Sequence, residues 1–295
     1  MDKWPLTFAQ GEAENLQLIS LFMIYYRLHL MDLSFGNKVA LITGSSRGIG
    51  AAIARKFALA GADIVLNYRK AGGKSQEQGE LLCRELQDMG RRAYLIQADI
   101  AVKASVKHMC SDIREKCGRL DFLILNAAKA PFKPLEHLFE RELRQLVETN
   151  FIGNIFCVQE ALPLFEKSGG KIVFISSLGS RFHNSSYPLG TMKAAMESAV
   201  RDLAESLSST KISVNGVCGG IVKTDSFKVL RQLWEEVAQI PDELFVEPDE
   251  IADAVLFLCG EASRGMRGQT IVVDRGLSNR LHRPIPETQK NKPVT

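Results

Sequence analysis

The sequence predicts a single α/β domain built on a parallel, doubly wound sheet with helices on both faces. Short apolar segments alternate regularly with longer segments of helical periodicity, and a glycine-rich turn follows the first of the apolar segments. The apolar segments lack polar alternation, which is typical of strands buried on both faces of a parallel sheet. Right-handed crossovers then make the sheet doubly wound, and ligands of such sheets bind beyond the carboxyl ends of the strands.

The elements follow one another without an internal repeat or linker. Strands are predicted at 38–43, 63–68, 93–98, 122–126, 171–176, 212–217 and 270–274. Helices between them are predicted at 49–60, 76–89, 138–167 and 191–208. We therefore expect one domain over 31–280.

Composition excludes several classes of protein. With 295 residues, 45% of them hydrophobic, the chain can bury a sizeable core, and 23 glycines and 10 prolines do not indicate disorder or collagen. A net charge of +3 is too small to indicate a nucleic-acid partner. The six scattered cysteines form no C-x-x-C pair, so we expect reduced thiols in a cytoplasmic protein and no metal site.

The two ends of the chain differ from the middle. Residues 16–30 form an apolar run that Gln17, Arg27 and His29 interrupt, and 15 residues are fewer than the ~20 that cross a bilayer. Three interpretations stay open: a membrane-surface or oligomer helix, a weak anchor, or translated upstream sequence. We favour an extension without catalytic role at 1–30, and any membrane contact is expected only through 16–30. Residues 281–295 are expected to form a flexible tail.

The glycine-rich turn predicts a nucleotide site. It reads TGSSRGIG and lies between the first strand and the first helix. Gly44 permits the tight turn, Gly48 lets the backbone approach a pyrophosphate, and Gly50 allows close packing of the helix. The helix N-terminus supplies amide donors and a favourable dipole for the phosphates.

The end of the second strand favours NADP(H) as the dinucleotide. An acid at this place would hold the ribose 2′-hydroxyl, but the chain has Asn67, Tyr68, Arg69 and Lys70. Arg47, Arg69 and Lys70 are candidates to pair with a 2′-phosphate. The alternative interpretation is that Arg69 and Lys70 are solvated loop charges.

Over 38–280 these residues resemble the short-chain dehydrogenase/reductase family, whose Rossmann-like fold the predicted elements match. Besides TGSSRGIG, the resemblance rests on Asp99, on LNAA at 125–128, on Ser176-Ser177, and on GGIVKT at 219–224. Leu125 replaces the family's asparagine, and Gly219 replaces its proline. The resemblance implies that the cofactor is bound by Gly44, Ser46, Arg47, Gly48, Ile49, Gly50, Arg69, Asp99, Ile100, Asn126, Lys193, Gly220, Val222 and Thr224.

Within the family, the serine motif and the CGGIVKTD loop resemble the NADPH-dependent enoyl-acyl-carrier-protein reductases of the FabL type. Tyr187 follows Ser177 by ten residues, as in that branch, but it precedes Lys193 in a Y-x5-K spacing that matches neither the enoyl reductases nor the ketoreductases. On a continuous helix, position i+6 points about 120° away from position i. Because Pro188 pushes the residue before it out of the helical region, we expect Tyr187 to precede the helix and to be able to approach Lys193.

The resemblance also implies roles for four catalytic residues. Tyr187 would donate to the oxygen on which charge develops, and Lys193 would favour its phenolate and bind the nicotinamide ribose. Ser177 would hydrogen-bond the substrate carbonyl, and Asn150 would hold a relay water.

Three hypotheses on function follow. The first is an NADPH-dependent enoyl-thioester reductase acting on an acyl carrier protein or coenzyme A substrate. The second is a ketoreductase that uses the same residues, and the third is an NADP-binding scaffold that has lost catalysis. The family implies a homo-oligomer, a dimer or tetramer, and a substrate lid at about 224–246. In that lid Phe227, Leu230, Leu233 and Trp234 either line an acyl tunnel or pack the lid onto the domain.

Overall fold

The predicted parallel sheet is confirmed, with seven strands among the residues that the structure describes. The computed structural model describes residues 34–165, 169–182, 188–225, 227, 231, 237 and 240–280. The strand order is β3-β2-β1-β4-β5-β6-β7, and every neighbouring pair is parallel. The strands are β1 (Val39–Ile42), β2 (Asp63–Tyr68), β3 (Ala93–Gln97), β4 (Phe122–Leu125), β5 (Gly170–Ser177), β6 (Ile212–Gly219) and β7 (Thr270–Val273).

Helices cover both faces of the sheet, as its apolar strands require. They are α1 (Gly48–Leu59), α2 (Lys74–Asp88), α3 (Lys103–Cys117), α4 (Glu140–Val147), α5 (Gly153–Ala161), α6 (Leu189–Ser206), α7 (Pro248–Cys259) and α8 (Leu277–Arg280). One core cluster joins α1, α2 and α7 to the sheet, and a second joins α3, α5 and α6 to the opposite face. The two faces thus hold separate apolar cores.

The helix predicted over 138–167 is not continuous. After α4 the backbone forms a π-helical segment at Glu148–Ile152, continues as α5, and ends in a 3-10 turn at Leu162–Leu164. Pro163 lies in that last turn, where its missing N–H prevents further α-helical bonding. The π-helical segment contains Asn150, and such segments are frequent at functional sites.

The strand order reverses between β1 and β4, and this reversal places the ligand crevice. β1 pairs with β2 on one side and with β4 on the other, so the chain crosses from one half of the sheet to the other at this point. The turn after β1 and the segment after β4 therefore open onto one crevice. The expected extension at 1–30 and tail at 281–295 lie outside the described residues. Among the helices of the described residues, none is both long and apolar enough to cross a membrane.

Candidate functional site

The turn between β1 and α1 depends on its glycines. Gly44 has φ +62°, and a Cβ there would lie 2.9 Å from the Cα of Ala127, in the segment after β4. A Cβ on Gly50 would lie 2.7 Å from Nδ2 of Asn126 and 2.8 Å from the carbonyl oxygen of Gly44. A Cβ at position 44 would therefore push the turn away from the segment after β4, and a Cβ at position 50 would push α1 away from the turn.

Asn67 braces this turn from β2. Its side chain is buried; Oδ1 accepts from the N–H of Gly44 at 3.1 Å, and Nδ2 donates to the carbonyl of Ala98 at 3.1 Å. The N–H of Asn67 donates to Oγ of Ser45 at 2.9 Å. This bracing role of Asn67 was not predicted from the sequence. Its position in an otherwise apolar strand was the available signal, because buried polar side chains need partners.

Asn126, the residue after β4, braces the same turn from the other side. Its Nδ2 donates to the carbonyl oxygens of Thr43 and Gly44, both at 3.0 Å, and its N–H donates to Oγ1 of Thr43 at 3.0 Å. Amide side chains thus hold the turn from the two neighbouring strands. The N–H groups of Gly44 and Ser45 donate to Oδ1 and to the carbonyl oxygen of Asn67. The later N–H groups of the turn, at the start of α1, are the ones that can face a phosphate.

A cavity of about 490 Å³ opens over the turn and has a volume usual for ligand sites. Most residues predicted to bind the cofactor line it: Gly44, Ser46, Arg47, Gly48, Ile49, Arg69, Asp99, Ile100, Asn126 and Thr224. Four lie outside its lining. Gly50 packs beneath the turn, Lys193 is buried on α6, Gly220 donates its N–H to Val273, and Val222 forms a bridge with Val246.

Basic side chains gather at the β2 end of this cavity. Arg69 is exposed, and Arg47 is more than half exposed with one guanidinium nitrogen 3.8 Å from a carboxylate oxygen of Asp225. Lys129, which the sequence analysis did not single out, also lines the cavity. Burial lowers the pKa of Lys129, and the nearby charges of Arg69 and Arg141 lower it further. Mutual repulsion among these cations favours an anionic ligand between them.

Lys193 lies on the other side of the crevice, buried against β5. Its ammonium donates to the carbonyl of Ile175 at 2.6 Å and lies 4.7 Å from the ring centre of Phe174. Burial lowers its pKa to about 8, although Cys218 and Glu197 act in the opposite direction. Ser177 ends β5 next to this lysine's helix and pairs in register with Gly219 of β6.

Asn150 makes several hydrogen bonds to the backbone around it. Its Oδ1 accepts from the N–H of Lys129 at 2.9 Å, and its Nδ2 donates to the carbonyls of Lys129 and Leu146 at 2.6 and 2.7 Å. Its carbonyl oxygen accepts from Nδ2 of Asn154 at 2.8 Å. The side chain therefore ties the segment after β4 to the π-helical segment.

Tyr187 lies outside the described residues, and so do Leu230, Leu233 and Trp234 of the predicted lid. α6 begins at Leu189, with Pro188 as the residue that precedes the helix. In the segment predicted as a lid, the ring of Phe227 is buried and packs edge-on against Phe245, with 4.7 Å between ring centres. Phe245 belongs to the same segment, so this contact is made within it.

A larger cavity of about 820 Å³ runs along α4 and shares Lys129 with the first. Its lining includes no residue of the glycine turn, so the predicted cofactor residues of that turn belong to the smaller cavity. Ser177 lines neither cavity. Within the described ranges, no three His, Cys, Asp or Glu side chains are grouped as metal ligands.

Known proteins are similar to this chain over most of its length. Residues 44–278 match the family model described as enoyl-(acyl carrier protein) reductase. 1-Cyclohexenylcarbonyl-CoA reductase of Streptomyces collinus is 34% identical over 257 residues, which are 85% of this chain and 90% of that protein. The 3-oxoacyl-[acyl-carrier-protein] reductase FabG of Staphylococcus epidermidis is 32% identical over 82% of this chain and 99% of that protein.

A solved structure has the same architecture. It is a short chain dehydrogenase from Burkholderia cenocepacia in complex with NADP, with a TM-score of 0.73 and 30% identity. The alignment covers 82% of this chain and 98% of that one.

Proposed function

Because the chain belongs to the short-chain dehydrogenase/reductase family, we propose that it is an NADPH-dependent reductase of enoyl thioesters. The choice of NADPH as the cofactor is supported by the basic end of the 490 Å³ cavity, where Asn67 replaces the acid that would repel a 2′-phosphate. The NADP in the similar Burkholderia cenocepacia structure supports the same cofactor.

The enoyl thioester is supported by the matching family model and by the coenzyme A reductase among the relatives. Ketoreduction of a 3-oxoacyl thioester is the second candidate, because the FabG relatives are almost as similar. Both substrates present a thioester carbonyl, on acyl carrier protein or coenzyme A, and both reactions develop charge on an oxygen. The segment at 224–246 is proposed to cover the acyl chain.

In this proposal, bound NADPH supplies a hydride to the β-carbon of the enoyl group. The Ser177 hydroxyl donates to the thioester carbonyl oxygen, and the Tyr187 hydroxyl gives its proton to the enolate oxygen that forms there. The enol then takes up a proton from water at the α-carbon and returns its hydroxyl proton to the Tyr187 phenolate, which completes the reduction. The Lys193 ammonium binds ribose hydroxyls and lowers the pKa of the Tyr187 phenol by its charge. Arg47, Arg69 and Lys129 hold the 2′-phosphate by charge-assisted hydrogen bonds.

The reaction is tested by following NADPH oxidation at 340 nm with crotonyl and acetoacetyl thioesters side by side. We expect turnover of the crotonyl thioester, and we expect Tyr187→Phe to lower kcat at least about 100-fold because a proton donor is lost. Tyr94→Phe, on β3, is the matched control and should leave kcat unchanged.

Each other result selects a different hypothesis. Turnover of the acetoacetyl thioester alone identifies a ketoreductase. If neither thioester reacts while NADPH still binds, the chain is an NADP-binding scaffold.

The cofactor is tested with Arg69→Ala. Loss of one charge-assisted contact to the 2′-phosphate should raise the KM for NADPH about tenfold, which corresponds to about 1.4 kcal/mol, and should leave the KM for NADH unchanged. Arg84→Ala, an exposed arginine on α2, is the control. An equal effect on both cofactors would contradict 2′-phosphate recognition by Arg69.

A further inference from the structure

The turn that follows β5 is held by a buried carboxylate on α6. The hydroxyl of Ser176 donates to Oε1 of Glu197, and the hydroxyl of Ser180 donates to the same oxygen at 2.6 Å. The side chain of Glu197 is only 12% exposed. Ser177 lies between these two serines, so one carboxylate oxygen anchors the chain on both sides of it.

The same turn lies directly on the start of α6. It is a 3-10 turn at Leu178–Ser180, and a Cβ on Gly190 would lie only 2.1 Å from the carbonyl oxygen of Gly179. The backbone of the turn therefore touches the backbone of the helix, with no side chain between them. Small movements of α6 against β5 would displace Ser177.

Glu197 and Lys193 contact consecutive residues of β5 from one face of α6. They are four residues apart, which places them on the same side of the helix. Lys193 bonds the carbonyl of Ile175, and Glu197 bonds the hydroxyl of Ser176. The helix thus fixes the end of β5 with one cation and one anion, immediately before Ser177.

Two titratable groups from other elements face this pair. Arg181, after the turn, has a guanidinium nitrogen 3.7 Å from Oε2 of Glu197. Burial raises the pKa of the Cys218 thiol on β6 to about 11, and the charge of Glu197 acts in the same direction. Cys218 and Glu197 both raise the pKa of Lys193. The thiol is neutral near pH 7, so Glu197 is the carboxylate of the two.

We propose that Glu197 is a positioning residue that holds Ser177 and Lys193 in their working arrangement. It acts through Ser176, Ser180 and Lys193 and does not contact the substrate. This inference rests on the proposed function, since it assigns Ser177 and Lys193 to the reaction.

The test compares Glu197→Ala and Glu197→Gln with Glu205→Gln, which removes the same charge from an exposed position of α6. We expect Glu197→Ala to lower kcat 10- to 100-fold with the KM for NADPH within twofold of wild type. Glutamine keeps an oxygen that accepts from the serines, so Glu197→Gln should lower kcat less. Because it removes a negative charge beside Lys193, it should also move the alkaline limb of the pH–kcat profile to lower pH. Glu205→Gln should do neither.

Hydrogen exchange supplies a readout that does not depend on turnover. The N–H groups of Arg181 and Phe182 donate to the carbonyl of Leu178, both at 2.9 Å, and report on the turn. Exchange over 178–182 should rise in Glu197→Ala and in Ser180→Ala, and it should stay unchanged elsewhere in the sheet.

The outcomes separate this inference from the proposed function. If wild type reduces neither thioester, the proposed function fails, and the exchange experiment alone decides whether Glu197 holds the turn. Unchanged exchange in both variants, or a kcat of Glu197→Ala within twofold of wild type, would overturn the inference. A parallel loss of kcat, NADPH binding and thermal stability would overturn it as well, because Glu197 would then support the whole fold.

Discussion

The protein buries a charged side chain at each end of the parallel strands, and the two side chains have very different hydrogen-bond partners. The amino edge and the carboxyl edge of the sheet are the sides at which its strands begin and end. At the amino edge, Asp121 precedes β4 and its carboxylate receives hydrogen bonds on both oxygens. Lys38 and Arg119 donate to Oδ1 at 3.1 and 2.6 Å, and the N–H of Val39 and Nε of Arg119 donate to Oδ2 at 3.0 and 2.9 Å. Two cations and a backbone amide therefore compensate the burial of this acid.

At the carboxyl edge, Lys193 has fewer partners among the described residues. It is 4% exposed, and among the described residues its three ammonium protons have one hydrogen-bond acceptor, the carbonyl of Ile175. Its pKa falls to about 8, chiefly through burial. A buried charge with a strongly shifted pKa is a candidate functional group, whereas a carboxylate that accepts four hydrogen bonds is typical of a structural role. We therefore propose that the amino edge serves stability and that the carboxyl edge serves ligand binding.

The largest expected effect comes from Lys193→Met, which keeps the length of the side chain and removes the charge. We expect kcat to fall at least about 100-fold, since the ammonium no longer acts on Tyr187 and the ribose. We expect the free energy of unfolding at pH 7 to rise by about 2–3 kcal/mol, because no charge is buried in the folded state. Turnover of the crotonyl thioester and urea denaturation measure the two quantities.

If Lys193→Met is less stable than wild type and retains its kcat, the carboxyl edge does not serve ligand binding through this lysine. That result would make Lys193 part of the fold's support, as Asp121 is at the opposite edge.

Asp121→Asn should show the opposite pattern with a smaller magnitude. One of its amide hydrogens would face the donors of Val39 and Arg119, so we expect a loss of about 2 kcal/mol and a Tm about 4–8 °C lower. The values of kcat and of KM for NADPH should stay within twofold of wild type, because the ligand crevice lies at the other edge. Calorimetry and steady-state kinetics check this, with Asp202→Asn, an exposed acid on α6, as control. A large fall in kcat would show that the two edges are coupled.

The same contrast explains which features could be predicted from the sequence. Strand positions and the glycine turn are local properties, because an apolar segment and a glycine at φ +62° act through their own backbone. The interruption of the helix predicted over 138–167 is not local. It accompanies hydrogen bonds between Asn150 and Lys129, which lie 21 residues apart.

The partners of buried polar groups were the least predictable part of the site. Lys193 and Glu197 share a helix face, and this spacing is visible in the sequence. Which serines Glu197 meets depends on how α6 lies across β5, and no pattern within one element determines that. Asp121 was not singled out either, because its partners Lys38 and Val39 come from a strand 82 residues away.

The smallest expected effect is on the pH dependence of the free energy of unfolding. Comparing wild type with Lys193→Met gives the contribution of Lys193 alone, because both proteins contain all other titrating groups. In the folded state the pKa of Lys193 is about 8, whereas an unperturbed lysine has a pKa of about 10.4. Below pH 8 both states hold the proton, so the full penalty of burying the charge is present. Between pH 8 and 10.4 the unfolded state binds the proton and the folded state does not, so this penalty shrinks as pH rises.

Between pH 8 and 9, the stability advantage of Lys193→Met over wild type should therefore decrease by about 1 kcal/mol. Urea denaturation of both proteins at each pH measures the difference, in which the other groups cancel. A constant difference over this range would mean that Lys193 keeps its charge in the folded protein, and the contrast between the two edges would then rest on hydrogen bonding alone.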